Sequence, residues 1–243
     1  MNFNRISKNL ILKPKYKIIL NPLVFEIINR TDPDSFVRLG DISISTQGLS
    51  PSRFKEIDES NPLYSFPYLK NGNVYNYTLV VEEKYQTSLK NMESLIPFYE
   101  KGEKILIRRI VNRQDRLSVG FTDERLVFKK DINPFIIIDK SFLTKYVLAI
   151  LASKFISYFY VNVSAIALKD DFRQTTLSEL REILIPKIGL AKQEKFANLA
   201  DKILSLKKQN PEADTTVLEA EIDRMVYALY GLTEEEVKVV EGV

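Results

Sequence analysis

Two seams of apolar residues organise the end of the chain. From Lys192 onward Phe196, Leu199, Ile203 and Leu206 recur at spacings of three and four, and after a Pro/Asn break at 209–213 Leu218, Ile222, Met225 and Leu229 do the same. That is the helical period, and two such seams joined by a short linker predict an antiparallel helical hairpin. Gly231 stands where a residue past the second helix would close it, and Thr233 with Glu236 has the spacing of a capping box opening a further short helix. Upstream, the run YVLAILASKFISYFYVNVSAIAL (146–168) is apolar almost all round. Ser141 is the expected N-cap of a helix reaching about Tyr160. Its Phe142, Tyr146, Leu148, Ile150, Leu151, Phe155, Tyr158 and Phe159 are too many for one face, which predicts burial against a sheet. Lys154 in the middle of the run argues against a membrane span, which needs about 20 nearly uninterrupted apolar residues.

The rest of the pattern is strand-like. FVRLGDISISTQGLSPSRF (36–54) carries Leu39, Ile42 and Ile44 as a short strand, followed by turn chemistry at Gly48, Ser50, Pro51 and Ser52. Asn71-Gly72 lies between Tyr/Leu-rich and Val/Tyr-rich runs and predicts a type I′ hairpin turn. Residues 88–101 read as a helix, and KILIRRIV (104–111) reads as a strand with RLSVGF and RLVFKK as its neighbours. LSELREILIPKI (177–188) is a short helix followed by an extended run that stops at Pro186. Residues 1–35, with Pro14, Pro22 and Pro33, read as an irregular lead-in. The sum is an α+β protein: a mixed or antiparallel sheet domain with a buried helix over residues 1–188, then a C-terminal antiparallel helical hairpin over 189–243, serving as spacer or docking element.

Composition narrows the chemistry. Of 243 residues 45% are apolar, enough to build a core, and there is no cysteine and no histidine. Those absences exclude disulfides, thiolate or imidazole metal sites, cysteine nucleophiles, Ser-His-Asp triads and HNH-type nucleases. Any catalysis would have to run on carboxylates and lysines. The N-terminus lacks an uninterrupted apolar stretch and a small-residue cleavage site, so no secretory signal is expected, and the predicted location is the cytoplasm.

The formal net charge of +3 is unevenly spread. Residues 211–243 hold nine carboxylates against Arg224 and Lys238, a local −7 that leaves +10 on residues 1–210. Residues 101–130 alone hold nine Lys and Arg against four acidic residues. A basic patch of that size is the footprint of a polyanion binder, and it also occurs on ordinary solvated faces.

Three short motifs touch catalysis. Asn61-Pro62-Leu63-Tyr64 is one residue from the Asn-Pro-Pro-Tyr of amino-methyltransferases, but no glycine-rich turn for a methyl donor accompanies it, so it reads as a turn. Asp34 with Glu82 and Lys84 has the letters of a Mg-dependent nuclease, at a separation wide for two strands meeting at one metal. Asp170-Asp171 reads as a solvated helix end. Eight scattered glycines supply no phosphate-cradling loop.

Taken in order, LGDISISTQGLS, PYLKNGNVYNY, KILIRRIVNR, YVLAILASKFISYFY, ILIPKI and LYGLTEEE resemble the TaqI-like C-terminal specificity domain, the target-recognition part of restriction–modification enzymes that join methyltransferase and nuclease in one polypeptide. Its role is related to that of type I specificity subunits. The resemblance implies a domain that reads a short duplex DNA sequence and presents one adenine to a methyltransferase/endonuclease module in cis or in trans. It implies no cofactor in this chain, with S-adenosylmethionine and Mg confined to the catalytic parts, no catalysis by this chain and no membrane partner.

Duplex reading needs cations and amides on loops or strands. Four clusters qualify: Thr46, Gln47, Ser50, Ser52, Arg53 and Lys55; Lys70, Asn71, Asn73, Tyr75 and Asn76; Arg108, Arg109, Arg113 and Arg116; and Lys169, Arg173 and Gln174. On a strand Arg108 and Arg109 would face opposite ways, leaving at most one toward DNA. The alternatives are the nuclease and a protein–protein scaffold built on the helical hairpin.

Overall fold

The computed structural model describes residues 21–50, 67–69, 73–81, 93–112, 116–164 and 174–243. Its centre is a four-stranded antiparallel sheet in the order β2 (Ser43–Ser45), β9 (Ile132–Ile137), β6 (Lys104–Arg108), β7 (Val119–Thr122). Both faces of this sheet are covered, and successive residues of β6 serve different cores. Ile105 and Ile107 join one cluster with Val119 and Phe135, whereas Leu106 joins another with Ile132, Leu49, Leu69, Tyr99 and Phe128. That two-sided burial explains why Ile105, Leu106 and Ile107 form an unbroken apolar run rather than an alternating one.

Two small strand pairs flank the sheet. β3 (Tyr68–Leu69) runs parallel to β8 (Val127–Phe128), and β4 (Val74–Tyr75) forms a hairpin with β5 (Thr78–Leu79). The hairpin turns at Asn76-Tyr77, so the expected pairing of the segments on either side of Asn71-Gly72 is replaced: the Tyr68 segment goes to β8 instead. Asn71-Gly72 itself lies outside the described residues. Tyr77 takes the left-handed conformation, φ 58°, because tertiary bonds hold it there: its N–H donates to the Val119 carbonyl at 2.9 Å, and Val119 N–H donates to Asn76 Oδ1 at 3.1 Å. RLVFKK likewise supplies β8, off the central sheet, and the second neighbour of β6 is β9.

The buried helix is present but broken. α3 (Thr144–Ala152) and α4 (Lys154–Val163) meet at a 65° bend. Ser153 makes the break, accepting from Ile156 N–H at 3.3 Å and donating to the Ile150 carbonyl at 2.7 Å, as a hydroxyl competing with the backbone does. Ser141 is not the N-cap. It sits in a turn made by Asp139, and α3 starts three residues later, where Gln193 accepts from Leu143 N–H at 2.8 Å and donates to the Ser141 carbonyl. No single helix among the described residues is long and apolar enough to cross a membrane.

The lead-in also differs from expectation. α1 (Pro22–Arg30) is a helix with Pro22 in its first turn and Asn21 as its cap, an arrangement proline favours. Leu39 and Ile42, three apart, belong to a single helical turn, α2 (Leu39–Ile42), and only Ser43–Ser45 extends as a strand. Residues Glu93–Phe98, expected in a helix, form a 3-10 segment containing Pro97.

Downstream, β1 (Phe36–Arg38) pairs antiparallel with β10 (Leu184–Pro186), which follows the short helix α5 (Leu177–Leu180). α6 (Leu190–Gln209) and α7 (Thr216–Leu229) form the hairpin, and α8 (Glu234–Glu241) follows. Gly231, at φ 65°, closes α7: Leu232 N–H reaches the Tyr227 carbonyl and Gly231 N–H the Ala228 carbonyl, the paired bonds of a Schellman motif. The Thr233/Glu236 capping box opens α8. Phe196, Leu199 and Ile203 of α6 and Ile222, Val226 and Tyr227 of α7 lie in the same core as α3, α4 and the central sheet. The acidic end is not only solvated: Glu236 is held by both Arg30 guanidinium nitrogens, Nη1 at 2.6 Å, and Glu241 by Lys154 and the Tyr227 hydroxyl.

Candidate nucleic-acid interface

Strand register brings several predicted residues to one end of the central sheet. There β6 ends opposite the start of β9, with Arg108 facing Ile132. The loop after β2 is pinned to the turn before β9: Gly48 N–H donates to the Ile132 carbonyl at 2.9 Å, Leu49 N–H to that of Phe128 at 3.0 Å, and Lys130 N–H to that of Leu49 at 2.9 Å. Glycine is required at 48, since a Cβ there would lie 2.1 Å from the Lys129 carbonyl oxygen. On the other side of the turn, Arg109 N–H donates to the Asp131 carbonyl at 2.7 Å and Thr175 N–H to that of Arg109 at 2.6 Å, while Ile110 bridges Gln174. Four backbone segments therefore lie side by side: Thr46–Ser50, Lys129–Asp131, Arg108–Ile110 and Gln174–Thr175.

This row carries the described residues of the first, third and fourth predicted clusters apart from Arg116, which lies beside the hairpin. Gln47 and Lys130 are exposed, and Thr46, Ser50, Arg108, Arg109, Lys129 and Gln174 are half-buried. The partners of the arginines separate their roles. Arg30, Arg38, Arg116, Arg125 and Arg181 each hold an acceptor within the molecule. The side chains of Arg108, Arg109 and Lys130 form no hydrogen bond or ion pair among the described residues. Unpaired guanidinium and ammonium groups on backbone-anchored loops are what a phosphate or a base edge would meet.

The second cluster sits apart, on the β4–β5 hairpin that packs across β6 and β7. Tyr75 is 49% exposed, and Asn73 is half-buried. Asn76 and Arg116 are used internally: Asn76 Nδ2 and Arg116 Nη2 both donate to the Ala152 carbonyl, at 3.3 and 2.8 Å. Ser52, Arg53, Lys55, Lys70, Asn71, Arg113, Lys169 and Arg173 lie outside the described residues, as do Asn61 to Tyr64, Asp170, Asp171, Glu82 and Lys84. Asp34 is exposed on a 3-10 turn, where its N–H donates to Asp32. Among the described residues no three acidic side chains converge as a metal site would require.

Lys129 and Lys130 were not among the predicted contacts, although both count toward the basic stretch 101–130. Lys129 places its ammonium 5.4 Å from the centre of the buried Tyr68 ring, which leaves Lys130 as the turn's outward cation. The signal available in the sequence was the Lys-Lys pair directly after a strand.

One end of the central sheet thus gathers cations and amides on loops pinned by backbone hydrogen bonds. Residues 66–185 match the TaqI-like C-terminal specificity domain. Over 217 residues, 86% of this chain, the sequence is 40% identical to a protein of Methanocaldococcus jannaschii assigned as a type II restriction enzyme and methyltransferase, of whose length the chain spans 18%. The type IIL restriction–modification enzyme MmeI, solved in complex with DNA, shares the fold with a TM-score of 0.57 over 88% of this chain and 36% of its own, at 12% identity. The type IIG restriction endonuclease BpuSI does so at 0.52, over 86% and 32%, at 11% identity.

Proposed function

We propose that this chain supplies DNA sequence recognition within a restriction–modification enzyme, reading duplex DNA for a methyltransferase/endonuclease module in cis or in trans without catalysing a reaction itself. The observation that carries the reading is the row of four pinned loops with its Arg108, Arg109 and Lys130, which have no side-chain partner among the described residues. Phosphate contacts from these cations would set register, and Gln47, Gln174 and the arginines would reach base edges in the major groove. Backbone pinning favours this use, because a contact made by a pre-ordered loop loses little entropy on binding. In the hairpin cluster Tyr75 and Asn73 remain available for contact, and Asn76 and Arg116 act as supports. S-adenosylmethionine and Mg would belong to the catalytic module, and the acidic outer side of α7 and α8 would face away from phosphates.

Selection from random duplex DNA by the full chain, alone and with its methyltransferase module, tests the reading. An enriched motif is expected, with affinity falling as salt rises at a log–log slope of about −0.9 per neutralised phosphate. No enrichment together with a slope near zero would overturn it.

A further inference from the structure

The bend between α3 and α4 is held from two sides by residues far apart in sequence. At the end of α3 the Ala152 carbonyl receives Asn76 Nδ2 from the hairpin and Arg116 Nη2 from the segment before β7. At the start of α4, two residues on, Lys154 N–H donates to Asp223 Oδ1 of α7 at 2.8 Å. Asp223 is 3% exposed, and Lys154 and Glu241 complete the charged group around it. Resting on the recognition reading above, we propose that Asp223 is a positioning residue for the DNA-facing hairpin. Through the Ala152–Lys154 bend and Arg116 it fixes where Asn73 and Tyr75 stand relative to the loop row.

The hairpin is anchored both to β7, where Tyr77 N–H meets the Val119 carbonyl, and to the bend. Asn76 spends its amide nitrogen on Ala152 and its amide oxygen on Val119 N–H, so the turn is tied to the bend as well as to β7. The bend made by Ser153 is also held by Asp223, which supplies the acceptor for the first N–H of α4 and a negative charge facing Arg116. Burial raises the Asp223 carboxyl above its ordinary pKa, so keeping it ionised near neutral pH works against the fold. A buried charge that works against stability while ordering a remote contact surface fits a positioning role better than a bracing one.

Asp223→Asn keeps an acceptor oxygen and removes the charge, and Asp223→Ala removes both. With the full chain, affinity is measured for a duplex carrying the motif enriched by the wild type and for an unrelated duplex. Positioning predicts that Asp223→Ala lowers the ratio of the two at least tenfold, that Asp223→Asn lowers it less, and that the unrelated-duplex affinity and its salt slope stay constant. A brace would instead lower the thermal midpoint and both affinities together. Should Asp223→Ala fail to fold, Asp223→Asn and Arg116→Lys carry the same comparison. An unchanged ratio in folded variants, or a parallel fall in both affinities, overturns the proposal. Failure of the wild type to enrich any motif would instead overturn the recognition reading.

Discussion

Lys130 and Gly48 do different work at the same end of the sheet. Lys130 projects an ammonium with no partner among the described residues from a turn whose backbone is bonded to Leu49, so Lys130→Ala should leave folding intact and lower duplex affinity for all sequences alike. The salt slope should shrink by about 0.9 if Lys130 neutralises one phosphate, and an unchanged slope in a filter or fluorescence titration would remove it from the interface. Gly48 presents nothing to solvent. Its lack of a Cβ lets the loop lie against the Lys129 carbonyl, so Gly48→Ala forces the two segments apart and should cost about 1–3 kcal/mol in denaturant unfolding. Gln47, Arg108 and Arg109 could be picked out of the sequence because residue type and turn context marked them. Lys130 was marked only by the Lys-Lys pair after a strand, because its place in the row depends on Leu49, about eighty positions away in the chain. The internal use of Asn76 and Arg116 was hidden for the same reason: their acceptor, Ala152, lies across the core.

Elements were legible wherever local chemistry decided them. The Schellman closure at Gly231 and the capping box at Thr233 and Glu236 were readable, and Thr233→Ala should cost about 1 kcal/mol of stability by thermal or denaturant melting. Elements decided by tertiary contact were not: α3 starts where Gln193 reaches it, and the Tyr68 segment pairs with β8 rather than with its sequence neighbour. The break at Ser153 and the start of α1 at Asn21-Pro22 carried local signals outweighed by apolar run length and by proline count. α8 is joined to α1 through Arg30, whose hydrogen bonds hold the Glu236 carboxyl below the ordinary carboxylate value of 4.5. A depressed carboxyl contributes stability that is present above its unfolded pKa and lost as pH falls through its folded pKa. The thermal midpoint of the wild type should therefore drop more steeply below about pH 4.5 than that of Arg30→Met. Parallel curves would mean that the pair adds nothing measurable.

At the scale of the molecule, a boundary at residue 188 passes through shared packing. Tyr146 on α3 stacks edge-on to Phe196 of α6 at 5.3 Å, and Phe155 on α4 lies 4.7 Å from Tyr230. Ile203, Ile222 and Val226 complete the same core at 1% exposure or less. Each such side chain contributes about 1.5–3 kcal/mol when buried, whereas a whole domain is stable by about 5–15 kcal/mol. Losing five of them, together with the Gln193 bonds that start α3, removes an amount comparable to that whole margin. A chain ending at residue 188 is thus expected to show no cooperative thermal transition and to bind duplex DNA only weakly and without motif preference. Cooperative melting of residues 1–188 with the wild-type motif preserved would make the helical arm a separable spacer. Dependence on the arm would instead place α6 and α7 inside the recognition fold, where any movement of the arm reaches the loops through α3 and the central sheet rather than through a flexible joint.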